Sequence, residues 1–285
     1  MSVWSADDFL VFQGPSSSSE VEVFIRTTAR ALADVLPKCR GRIKGPFVPG
    51  SRTIPAAHAF QFDAGRNALV ANVLEPCFWS TPMPSAYRVE IQTPDEQEVQ
   101  FECGLVRIGV RNESFFLNGR RWVFRAVQAN SSSSFDLPLL ADLHLGVYLQ
   151  RPSFEFVRSC SQHGVPVLVE WCDADGDINQ FIVSYSKLGG VVGFVVNGQW
   201  PDADLRSLSP NRLFLTVEKD GGADVAHGKI LDVGVIQEFG EQPSCPVVAI
   251  ARSAADLGDP NQVRSACERI QRDLAPRFDL AGYVS

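Results

Sequence analysis

The chain has little of what metal, redox or polyanion chemistry requires. Its four histidines, His58, His144, His163 and His227, lie far apart with no companion pattern, so neither a catalytic triad nor a metal-ligand spacing can be read from them. The seven cysteines are odd in number and scattered, with no C-x-x-C pair. Free thiols buried in a reducing cytoplasm are the expectation, with no metal and no cofactor. Basic residues are in deficit: 26 Lys and Arg stand against 33 Asp and Glu, a net charge of −7. That leaves no electrostatic case for nucleic acid or an anionic membrane. Long hydrophobic runs are also missing. The longest, Gly189 to Val196, is too short to cross a bilayer. The opening MSVWSADDFLVF has no basic region ahead of an apolar one, so no secretory signal is evident and a cytoplasmic location is expected.

What is present suffices for a core: 285 residues, 45% of them hydrophobic, suit two ordinary domains. Up to about residue 110, segments alternate apolar and polar residues between Pro, Gly and Ser. Strands are expected at Glu20 to Arg26, Ala57 to Phe62, Ala68 to Val73, Tyr87 to Gln92 and Gln97 to Arg107. In TTARALADVL (27–36) a helical period competes with an irregular crossing between strands. From Arg121 the texture changes. Eight apolar runs follow: WVFRAV, LGVYLQ, VPVLVEW, GVVGFVV, RLFLTV, ILDVGVI, CPVVAIA and LAGYV. They read as parallel strands buried on both faces. Helical patterns lie between several of them: LPLLADLH, SFEFVRSCSQHG, INQFIVSYSKLG and NQVRSACERIQRDLA. Eight strands alternating with helices predict a (β/α)8 barrel. It would occupy residues 121–285, against about 250 residues for a usual barrel. The loops that build catalytic sites must therefore be short.

One stretch is more specific. Phe78-Trp79-Ser80-Thr81-Pro82 is followed by Tyr87-Arg88-Val89, then Gly104 to Val110, then Phe116-Leu117-Asn118-Gly119-Arg120, then Phe124-Arg125-Ala126-Val127-Gln128. In order and spacing this resembles the passage of family 2 glycoside hydrolases, the group of β-galactosidases and β-glucuronidases, where an immunoglobulin-like sandwich hands over to a TIM barrel. Phe154 to Trp171, Leu208 to Leu213, Asp232 to Val235 and Pro246 to Val248 resemble later parts of the same barrel. The resemblance implies an all-β plus α/β protein: an immunoglobulin-like β-sandwich over residues 1–112, then a compact (β/α)8 TIM barrel over residues 113–285. It also implies a carbohydrate ligand.

The departures from the family pattern bear on chemistry. The resemblance places the general acid/base after Asn197, where Gly198 stands, and the nucleophile at the end of strand 7, where Ala251 stands, or Arg252 one residue on. Retaining hydrolysis needs two carboxyls about 5 Å apart, and glycine and alanine supply none. The expectation is a glycosidase-like body that binds carbohydrate, or a protein partner, without glycosidase turnover. The alternatives are an active glycosidase using relocated carboxylates, Glu170 at the end of strand 3 with Glu238 in Gln237-Glu238-Phe239-Gly240, and a structural scaffold. Glu218, Asp173 and Asp175 are lesser candidates. Arg125, Gln128, Asn197 and Trp171 are the expected ligand contacts. Trp122, Trp171 and Trp200 could stack on a sugar, although buried packing is the commoner fate of Trp.

Overall fold

The computed structural model describes residues 4–28, 34–130, 135–172, 176–197, 205–217, 226–251 and 259–285. Eight strands open the chain: β1 (Phe9–Ser16), β2 (Glu20–Thr27), β3 (Arg40–Phe47), β4 (Ala56–Ala59), β5 (Gln61–Asp63), β6 (Ala68–Leu74), β7 (Ala86–Gln92) and β8 (Glu98–Cys103). They form two antiparallel sheets, ordered β1-β2-β6-β5 and β4-β3-β7-β8. Alternation supplies the core between them. Val21, Val23 and Ile25 of β2 meet Leu69, Ala71 and Val73 of β6, with Ile43, Tyr87, Val89 and Ile91 from the other sheet. The expected strand Ala57 to Phe62 is two strands on different sheets, since β4 pairs with β3 and β5 pairs with β6. Of TTARALADVL, residues 29–33 lie outside the described residues, and Leu36–Lys38 form a short 3-10 turn.

A three-stranded ribbon follows, β9 (Ile108–Arg111), β10 (Ser114–Leu117) and β11 (Arg120–Trp122). Residues 112 and 113, the expected domain boundary, form the turn between β9 and β10. Asn118 and Gly119 make the β10–β11 turn with φ of 52° and 78°, which an Asn-Gly pair tolerates at small cost.

The closed barrel consists of β12 (Phe124–Ala129), β13 (Gly146–Gln150), β14 (Val167–Cys172), β15 (Val191–Asn197), β16 (Leu213–Thr216), β17 (Gly228–Asp232), β18 (Val247–Ile250) and β19 (Gly282–Val284). Every neighbouring pair is parallel, and β12 closes against β19. Around it run α1 (Leu137–Asp142), α2 (Phe154–Gln162), α3 (Ile178–Ser186), α4 (Leu205–Leu208), α5 (Val233–Gln237) and α6 (Pro260–Leu274). The run ILDVGVI is not one strand: Asp232 ends β17 and caps α5. Strand alternation sorts the barrel residues into two layers. Phe124, Ala126, Leu168, Val195, Leu215, Ile230, Val248 and Val284 fill the inside. Val127, Val147, Val169, Val196, Phe214 and Tyr283 face the helices.

The ribbon and Trp79 close the barrel's N-terminal end, for Phe115, Val106 and Trp79 share one apolar cluster with the inner strand residues. Trp79 is 1% exposed. Its indole N–H donates to Ser161 O at 2.9 Å, and its own carbonyl accepts from Asn118 Nδ2 at 3.1 Å. Glycines make the approach close. A Cβ on Gly189 would stand 2.7 Å from the Trp79 ring, and one on Gly104 would stand 2.2 Å from Gly189 Cα. The Phe-Trp-Ser segment that carries the sequence resemblance is therefore the joint between the two halves.

Candidate functional site

The C-terminal ends of β12 to β15 put polar side chains where the lower barrel has apolar ones. Alternation from Phe124 and Ala126 turns Gln128 inward, and it lies level with Tyr148 in the β12–β13 register. Gln150 is level with Glu170, and Cys172 with Asn197. Glu170 is 4% exposed and is the hub of this cluster. Its Oε2 accepts from the Tyr148 hydroxyl in a very short bond and from Gln150 Nε2 at 2.9 Å, and its Oε1 accepts from Asn197 Nδ2 at 2.6 Å. Three side-chain donors thus converge on one buried carboxyl group, and no Lys or Arg among the described residues pairs with it. Such bonds are stronger than neutral ones when the acceptor is ionised. They fix Tyr148, Gln150 and Asn197 in place.

Four other described carboxyls at this end serve the backbone. Asp136, Asp177, Asp232 and Asp259 each begin a helix after a barrel strand. Their Oδ1 atoms accept from Leu139 N at 3.1 Å, Asn179 N at 2.9 Å, Gly234 N at 2.8 Å and Asn261 N at 2.9 Å. An N-cap aspartate satisfies amides that the first helical turn leaves without partners.

Several expected contacts are not brought together. Arg125 belongs to the outer layer, where its guanidinium donates to Gln271 of α6 at 2.7 Å. Trp171 packs in the barrel–helix core, and its indole N–H donates to Gly176 O at 3.2 Å. Both point away from the mouth because each has the opposite parity to an inward residue, Arg125 to Gln128 and Trp171 to Glu170. Trp122 packs edge-on against Phe124 at the other end of the barrel. Ala251 lies against the outer cluster, and Ile250 is the last inward residue on β18 among those described.

Glu238 follows the last turn of α5 and is exposed. It is flanked by Gln237 and Phe239, whose carbonyls accept from Arg277 at 3.2 and 2.5 Å, in the segment that leads into the start of β19. That is the N-terminal end of the barrel, opposite Glu170, so the two carboxyls do not share a pocket. Gly198, Trp200, Glu218, Asp173, Asp175 and Arg252 lie outside the described residues. Of the histidines, His227 joins β16 to β17: its Nδ1 accepts from Phe214 N at 3.0 Å, and burial together with the nearby Arg206 charge holds its pKa below the ordinary 6.5. The residues that reading by segment missed are Tyr148 and Gln150. Their signal was the alternation of LGVYLQ, which puts both on the face that carries Glu170 on the next strand.

No family model matches the chain, and no curated protein matches it. Solved structures do. A Bacteroides uniformis β-glucuronidase superposes with a TM-score of 0.66 at 12% identity over 97% of this chain and 45% of its own. A Parabacteroides merdae β-glucuronidase gives 0.64 at 13% identity, over 97% of this chain and 46% of its own. The β-D-glucuronidase of Dictyoglomus thermophilum gives 0.61 at 13% identity, over 98% and 61%. The chain thus spans about half the length of the first two enzymes, and at these identities the likeness establishes a shared fold: the sandwich and the barrel of the glycosidases occur here in the same order.

Proposed function

We propose that this protein binds carbohydrate at the C-terminal mouth of its barrel and does not hydrolyse it. Residues 1–112 act in this reading as the scaffold, and residues 113–285 hold the ligand. The observation that carries it is the Glu170 cluster. A hub of one carboxyl group, a phenol and two amides, with Gln128 beside it, offers both donors and acceptors to hydroxyl groups, as a sugar site must. Hydrolysis asks for something else: two carboxyls on either side of the scissile bond, about 5 Å apart for retention and roughly 6.5–9.5 Å for inversion. Glu170 already accepts three hydrogen bonds, Glu238 stands at the other end of the barrel, and four mouth aspartates cap helices. Glycine follows Asn197, and alanine follows Ile250. That the structural neighbours are β-glucuronidases supports the choice of carbohydrate as the ligand class.

The test combines turnover of a panel of aryl glycosides at high protein concentration with direct glycan binding, for wild type and Glu170→Gln. Binding without turnover, weakened at least tenfold in the variant, is the expected result. Turnover that Glu170→Gln abolishes sinks the non-hydrolytic reading. Binding to no glycan, with the wild type and variant alike, sinks the carbohydrate reading and leaves a protein partner as the candidate.

A further inference from the structure

The joint between sandwich and barrel contains a buried charge that the protein does not fully compensate. Arg212, just before β16, is 4% exposed. Its terminal nitrogens donate to Asn211 O at 3.0 Å, Ser186 O at 2.7 Å and Leu188 O at 3.3 Å. Two of these carbonyls stand at the C-terminal end of α3, whose dipole favours a cation. Among the described residues its Nε–H has no acceptor and no carboxylate pairs with the group. Burial alone lowers its pKa to about 10, and a guanidinium does not relieve such a penalty by losing its proton near neutrality.

Arg212 lines a small crevice between the sandwich and the barrel, with the space of one small occupant. The other polar lining is rich in donors and holds no carboxylate. Gln13 has both ends of its side chain on Val106, and its backbone N–H donates to Asn211 Oδ1 at 3.0 Å, so the Asn211 amide has its two N–H donors to offer. Ser209 brings a hydroxyl. Cys103 brings a thiol that burial pushes up to about 12, hence no negative charge. The Lys187 ammonium, also in the lining, is bound to Ala6 O at 2.6 Å and Asp7 Oδ1 at 3.3 Å. A water would satisfy the Arg212 Nε–H but add no charge, and it would need acceptors for its own two hydrogens.

We propose that this crevice binds a single halide-sized anion, chloride in ordinary salt, which accepts from Arg212 Nε–H and pins the sandwich to the barrel. Bromide is the probe. In crystals of the full chain soaked in bromide, an anomalous peak is expected within hydrogen-bonding reach of Arg212 Nε. In solution, replacing gluconate by chloride at constant ionic strength should raise the thermal midpoint by about 2–4 °C and then saturate. Asn211→Asp places a carboxyl group beside the guanidinium and should remove both the peak and the chloride dependence while folding normally. Density without anomalous signal means a water and overturns the proposal. So does a midpoint that follows ionic strength alone, even with bromide in the crystal, or a chloride dependence that survives in Asn211→Asp.

Discussion

The two ends of the barrel are built from the same strands and reach opposite solutions. At the N-terminal end Phe124 packs with Val106, Phe115 and Trp79 in one apolar cluster, and the Trp79 indole N–H has its acceptor on Ser161. At the C-terminal end the inner positions of the first four strands include Gln128, Tyr148, Gln150, Glu170 and Asn197. The lower end gains stability from burial at roughly 25 cal/mol per Å2 of apolar surface. The upper end desolvates a carboxyl group and then satisfies it three times over, an arrangement that contributes little net stability and much positional order. A protein that needed only a scaffold could fill both ends with apolar side chains. The asymmetry accords with the binding mouth proposed above, set on a rigid base.

That contrast can be broken from either side. Trp79→Ala at the closed end should have the largest effect, a loss of about 3–5 kcal/mol in denaturant unfolding, because the surrounding glycines are shaped to this ring and cannot collapse onto the void. Glu170→Leu at the open end removes the acceptor of three hydrogen bonds and should cost about 2–3 kcal/mol. Glu170→Gln keeps the shape and should cost about half as much, and glycan binding is expected to fall in both. Asp259→Ala, which removes the cap of the longest helix, should cost about 1 kcal/mol, and hydrogen exchange should rise in the first turn of α6 only. The smallest effect concerns pH. The folded pKa of His227 lies below 6.5, so the unfolded chain takes up this proton first. Its contribution is present above pH 6.5 and is lost as pH falls through the lowered folded value, because a protonated Nδ1 cannot accept from Phe214 N. His227→Gln should flatten the stability profile in that acid window, as followed by thermal melts across pH.

The barrel was legible in the sequence because parallel strands buried on both faces read as unbroken apolar runs, and all eight runs contain a strand. Where a run hid a boundary the reading failed. ILDVGVI is apolar throughout except for Asp232, and that aspartate is the helix cap. In the sandwich, β1 and β3 went unseen. RGRIKGPF of β3 carries three long cations around Ile43, and FLVFQGPS of β1 ends in Gly and Pro, so neither shows clean alternation. At the mouth, Glu170 and Asn197 were legible as strand-end polar residues. Arg125 and Trp171, also expected as ligand contacts, face outward, as parity alone predicts: positions 125 and 128 lie an odd number of residues apart, and 171 adjoins 170. Tyr148 and Gln150 needed only the same count of two.

The pairing of β12 with β19 also sets an order of events during synthesis. The ring closes through Phe124 with Gly282 and Ala126 with Val284, and Arg121 near the start of the barrel is tied to Asp279, 158 positions later. Contacts this distant in sequence are slow to find, because the loop must close before any contact rewards it. A chain emerging from its N-terminus can complete both sheets of the sandwich while the barrel is still an open row of strands with two unpaired edges. Until β19 arrives those edges are free to pair with another chain. The early sandwich is therefore the part that a ribosome-bound fragment should already show folded, and the half-made barrel is the stage most open to pairing with the wrong chain.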